Sequence, residues 1–189
     1  MGTTNVRALH NSIRIEVVKN AEQMAHALAI RAICMFEEAG LDVDQAFDGN
    51  DYQSTHIIVY SGSEPIGAAR VRWFREFAEI ERTSFRKAYR DPRILKMAAT
   101  FVFKHAASKG YSTVLTHAEP KFATVWKRML GFRELSDQPV LQACNTPPYV
   151  RLIKEIEVPE DAISLHSDPQ KLFRIEGYWN VPGAFEKVA

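Results

Sequence analysis

Two carboxylates and a run of basic residues are the side chains most able to do chemistry. Glu79 and Glu81 flank Ile80, and this alternation puts both acids on one face of a strand. A strand carboxylate can take a proton from an amine, directly or through a water, and a second acid beside it helps raise its pKa. The alternative is that one or both pair with Arg70 or Arg82. Residues 82–96 then hold six basic side chains and one acid, Asp91. Where a strand hands over to a helix, unpaired backbone N–H groups and the positive dipole end meet. Arg90 and Arg93 add planar forks that suit phosphate oxygens, so the segment reads as a diphosphate site. A solvated basic helix start is the other reading, and Asp91, as a cap, competes for the same amides.

Arg31 lies in an apolar stripe with Met24, Ala27, Leu28, Cys34 and Met35 at helical spacing. A charge there needs a partner or a ligand. The acidic loop Asp42, Asp44, Asp48 and Asp51 offers an ion pair, while Asp44 and Asp48 could instead hold the ammonium or hydroxyl of a substrate. His56 reads as structural, and His105 and His117 receive no role. Trp126 and Phe101 read as core, and Tyr178 and Trp179 as surface packing or a dimer contact. Cys34 and Cys144 are unpaired in spacing and read as reduced thiols. No nucleophile motif and no metal-ligand spacing is evident, so no metal is expected.

The elements that would position these residues follow in order. Residues 13–18 alternate as a strand, and Asn20 with Gln23 opens a helix that runs to about 38 and stops at Gly40. Strands at 56–60 and 65–74 flank the turn Ser61-Gly62-Ser63, and 77–85 is a further strand. Asp91-Pro92 starts a helix over 93–109, ended by Gly110. A strand at 112–117, a helix from Pro120 to 130 stopped by Gly131, and strands at 132–135 and 149–156 complete the chain. This order predicts an α+β fold with a mixed central sheet flanked by helices. Residues 1–158 form the expected domain, and 159–189 a C-terminal tail packing on it. The 189 residues, 46% of them hydrophobic, suit one such domain. A net charge of +1 gives no global field for nucleic acid or an anionic membrane. The polar start and the lack of a long apolar run predict a cytoplasmic protein without a membrane span.

Residues 79–90, E-I-E-R-T-S-F-R-K-A-Y-R, resemble the central strand and following turn of the GNAT acyltransferases. In that family E-x-x-R-x-x-V leads through a tyrosine–arginine pair into a pyrophosphate loop and helix. Leu130-Gly131-Phe132 matches the family's leucine-glycine-phenylalanine at the end of a later helix. The resemblance covers roughly residues 13–156. It implies an acyl-CoA N-acyltransferase with acetyl-CoA or a longer acyl-CoA as donor and a small-molecule amine as acceptor. Donor contacts would come from Ser84, Phe85, Arg90, Arg93, Ile94, Leu95 and Lys96, with the thioester between the strands at 77–85 and 112–117. A backbone N–H near Ser84 or Phe85 would polarise its carbonyl. Glu79 or Glu81 would take the amine's proton. The family loop reads R-x-x-G-x-G or R-x-x-G-x-A, whereas here Arg90-Asp91-Pro92-Arg93-Ile94-Leu95 has neither glycine. Lys127 aligns with the family's tyrosine acid and Pro120 with its asparagine.

The acyl-homoserine-lactone (autoinducer) synthases and N-acyl amino acid synthases lack these glycines too. The chain resembles them in Arg31 before Phe36, in Asp44-Gln45-Ala46-Phe47-Asp48, in Gly67-x-x-Arg70 and in Glu79-x-x-Arg82. Their early tryptophan has no counterpart. This branch implies Arg31, Asp48, Arg70 and Arg82 at the acceptor and acyl carrier protein as an alternative donor. A third reading is an inactive binding module whose basic segment contacts nucleic acid or an acidic carrier protein; the near-zero net charge disfavours nucleic acid. Either a monomer or a homodimer fits.

Overall fold

The computed structural model describes residues 13–135 and 148–186, so Cys144 lies outside the described residues. The strands are β1 (Ile13–Val17), β2 (Thr55–Ser61), β3 (Glu64–Trp73), β4 (Ala78–Phe85), β5 (Thr113–Ala118), β6 (Arg133–Glu134) and β7 (Val150–Glu155). The α-helices are α1 (Ala21–Ala32), α2 (Val43–Ala46), α3 (Pro92–Ser108), α4 (Pro120–Leu130) and α5 (Pro169–Leu172). The sheet has the order β1-β2-β3-β4-β5-β7-β6. It is mixed: β1 runs antiparallel to β2, β4 parallel to β5, and β7 antiparallel to β5 and β6. The α+β expectation therefore holds.

The chain divides into two compact units. The first takes the described residues to Arg70 together with Arg82–Ala98. Asn20 caps α1 by accepting from Gln23 N–H at 2.9 Å, while Gln23 Oε1 accepts from Lys19 N–H at 3.0 Å. The returning bond thus lands one residue before the cap. β2 packs on both faces, as a strand with two-residue periodicity must when both sides are covered. Ile58 and Tyr60 meet Ala27 and Ile30 of α1, with Ala68 and Cys34. Val59 packs with Ile66, Ile94 and Ala98, with Phe85 and Tyr89 at the margin.

The first helix is not uniform. Beyond Ala32 it widens into a π-helical stretch, Ile33–Glu38, before Gly40 turns the chain at φ +65°. No proline or glycine announces the change in sequence. The wider turns let Cys34 Sγ donate to Phe85 O at 3.3 Å and bring Glu38 to Arg90.

The second unit takes Val71–Glu81 and the described residues from Ala99 onward. Proline at the first turn of α4 and left-handed Gly131, φ +74°, bound that helix as expected. Its buried Trp126 meets Phe132 edge to face. Residues beyond β7 touch the C-terminal half of α3. Ile163 N–H donates to Ser108 O at 2.8 Å, Glu176 accepts from Lys109 Nζ at 2.8 Å, and Trp179 stacks parallel to His105.

Candidate functional site

In the first unit, four residues singled out from the sequence come together. Arg70 of β3 is fully buried and donates from Nη1 and Nη2 to the two oxygens of Asp48, at 2.6 and 2.7 Å. Arg82 of β4 reaches Asp48 Oδ2 at 3.0 Å. Arg31 of α1, also fully buried, donates to Asp51 Oδ1 at 2.5 Å and to Ala46 O, and lies over the Phe47 ring. Asp51 also accepts from Arg70 at 3.0 Å and so joins the two arginines. A buried charge costs several kcal/mol unless its partners are well placed. Here three guanidiniums face two carboxylates, which leaves one net positive charge.

The electrostatics follow from these contacts. The Arg70 hydrogen bonds hold the Asp48 carboxyl well below the usual carboxylate range. Burial pushes Asp51 upward, but Arg31 and Arg70 outweigh it, and its carboxyl also lies below its ordinary value. Burial pulls the Arg31 guanidinium down from its ordinary value, and Asp51 opposes this. His56 sits beside the network, buried, with Nε2 3.0 Å from Asp51 O. A carbonyl only accepts, so Nε2 carries the proton. Nδ1 is buried without a hydrogen-bond partner, and burial depresses the ring's pKa, so His56 is neutral. Asp44 is exposed on α2. Arg82 stands at φ +52° within β4, the one non-glycine with positive φ among the described residues. Such a residue breaks the pleat as a bulge does and needs its surroundings to hold it. Its side chain is tethered by the Nη2 bond to Asp48.

The two strand acids belong to the second unit. Glu79 Oε1 lies 2.8 Å from His117 Nδ1, and Glu81 lies 3.3 Å from Arg72 Nη1. The pairing Glu79↔Leu115 in the parallel β4–β5 ladder puts His117 one same-face position along β5. Thr116 Oγ1 donates to Ile80 O at 2.8 Å and fixes that register. A carboxylate accepts, so His117 Nδ1 carries the proton and Nε2 is the basic nitrogen. Both side chains keep some exposure, 14% for Glu79 and 22% for His117.

The basic segment forms an open depression of about 460 Å³ lined by Lys87, Ala88, Arg90, Asp91, Pro92 and Arg93. Asp91 accepts from the Arg93 backbone N–H at 2.8 Å and from its guanidinium at 2.7 and 3.1 Å. Arg90 Nε donates to Phe85 O at 2.9 Å, and its Nη2 donates to Glu38. Leu95 N–H is taken by Asp91 O. The Ile94 side chain is buried against Val59 and Ile66. The Phe85 ring lies over Gly67, so it faces the core rather than a ligand. Ser84 is buried, its hydroxyl on Arg82 O, and Lys96 is exposed. Among the described residues no group of three His, Cys, Asp or Glu side chains could hold a metal, and no helix is long and apolar enough to cross a membrane.

No family model matches the chain. It is 27% identical over 139 residues to the uncharacterized N-acetyltransferase YjcF of Bacillus subtilis, an alignment covering 74% of this chain and 97% of that one. A solved structure from Lactobacillus plantarum, described as a candidate N-acetyltransferase, superimposes with a TM-score of 0.69 at 24% identity, over 77% of this chain and 99% of that one. FeeM, an N-acyl amino acid synthase from uncultured soil microbes, gives a TM-score of 0.64 at 14% identity, over 78% and 92% of the two chains. The chain thus has the fold of the GNAT N-acyltransferases.

Proposed function

We propose that the chain is an N-acyltransferase moving an acyl group from acyl-CoA to the amine of a small molecule. The Glu79–His117 pair carries this reading, with the fold behind it. Glu79 holds the His117 tautomer whose Nε2 can accept a proton. As the amine attacks the thioester carbonyl, its nitrogen forms the new C–N bond and its proton passes to His117 Nε2. Glu79 stabilises the imidazolium. The C–S bond then breaks, and the departing thiolate takes a proton.

Lys87, Arg90 and Arg93 would meet the donor's phosphates. On the acceptor side only Arg82, Asp48 and Asp51 keep exposed surface, so these would touch the acceptor, while buried Arg31 and Arg70 act by holding the carboxylates. A second reading, with acyl carrier protein as donor, is favoured by one feature: Asp91 takes both the amide and the guanidinium of Arg93, where the family carries glycine.

A thermal-shift series with acetyl-CoA, long-chain acyl-CoAs and free CoA tests the donor, because a ligand of the folded state raises the midpoint in line with RT ln(1 + [L]/Kd). Stabilisation by acetyl-CoA supports the first reading. Stabilisation by long acyl chains alone supports the synthase-like branch, and no shift with any of them counts against CoA as donor.

A further inference from the structure

Resting on the acyl-CoA reading, the geometry points to Glu38 as a specificity-determining residue: an internal counter-ion that occupies Arg90 and sets the affinity for the phosphate end of the donor. Three cations line the depression at the start of α3, Lys87, Arg90 and Arg93. Two of them are already paired with acids of the same chain. Arg93 is taken by its near neighbour Asp91, which also caps the helix. Arg90 is taken by Glu38, fifty-two residues away in sequence, at the end of the π-helical stretch.

The two acids differ in what they do besides. Asp91 serves α3 itself. Glu38 makes no cap, and the widened π turns carry it to Arg90. Arg90 Nε is fixed on Phe85 O, so the guanidinium is aimed, and Glu38 occupies one of its outward nitrogens. About half of the Arg90 side chain is exposed, within reach of an arriving anion. Three positive charges against two negative leave the depression with one net positive charge, fewer than the charges a diphosphate brings. A phosphate therefore competes with Glu38 for Arg90, and donors are ranked by how much phosphate charge they bring to that contest. Exposed ion pairs are worth little in water, so the effect is a tuning of affinity and not a gate.

The test compares the full chain with Glu38→Gln, which keeps the side chain's size and removes its charge. Free CoA, pantetheine without phosphate and inorganic pyrophosphate are titrated calorimetrically at low and high salt. We expect Glu38→Gln to bind CoA and pyrophosphate about 2–5-fold more tightly at low salt, with the gain fading at high salt and pantetheine unaffected. Equal or weaker CoA and pyrophosphate binding by Glu38→Gln, with an unchanged melting temperature, overturns the inference while leaving the acyl-CoA reading intact. If CoA binds neither protein but pyrophosphate still binds more tightly to the variant, the donor reading falls and the counter-ion role stands.

Discussion

Asp48 accepts from both terminal nitrogens of Arg70, at 2.6 and 2.7 Å, while Arg70 has no exposed surface of its own. The carboxylate thus balances a guanidinium that water cannot reach. Removing one partner of such a pair typically costs about 3–5 kcal/mol. Asp51 still contacts Arg70, which puts Asp48→Ala near the lower end, at about 3 kcal/mol. Urea unfolding of the wild type and the variant measures this. A loss under about 0.5 kcal/mol, typical of a surface substitution, would contradict the role given to the pair.

The titration of this region has a definite sign. His56 is neutral and its pKa is lowered by burial, so the unfolded chain binds its proton first as the pH falls. Stability is then constant above the unfolded value of about 6.5 and declines as the pH drops through it. The Asp48 and Asp51 carboxyls lie below their ordinary values, so their contribution persists to about pH 4 and is lost only in stronger acid. Unfolding free energies at pH 7.5 and 5.5 should therefore differ more in the wild type than in His56→Gln. An equal difference would remove His56 as the cause.

Gly67 is required by its neighbour. A Cβ built there overlaps the Phe85 ring at Cδ1 and Cε1. Gly67→Ala should destabilise the protein by about 1–3 kcal/mol, as overpacking does. In a Phe85→Leu background the same change should cost clearly less, which a double-mutant cycle reads directly.

Much of this architecture is legible in the sequence because local chemistry and global fold agree. Asn20, Asp91, Pro120, Gly110 and Gly131 mark helix ends, and β2 to β4 read as strands from their patterning. The π-helical stretch is not legible, since Ile33–Glu38 continues the helical pattern and the change shows only in its long-range bonds. Arg31, Asp48, Arg70 and Arg82 are identifiable as charges lacking a local partner. Asp51 is legible as a member of the acidic loop that offers Arg31 an ion pair, and it accepts from Arg31. His117 is harder to find: one histidine near the end of a β-branched strand means little until the parallel register sets it beside Glu79. The alternation at 79–81 marks two acids on one strand face but not their neighbours: Glu79 meets His117 and Glu81 meets Arg72, while Arg70 and Arg82 bond Asp48.

Under the proposed acyl transfer, Glu79 and His117 handle the amine's proton. The most direct measurement is thiol release from acetyl-CoA and a longer acyl-CoA, with a panel of small amines, for the wild type, Glu79→Gln and His117→Asn. The wild type should release thiol only when amine is present, and kcat should fall about 100-fold or more in each variant, with the donor's binding constant nearly unchanged. Full activity in both variants, or no amine-dependent release by the wild type with any donor, would contradict this proposal.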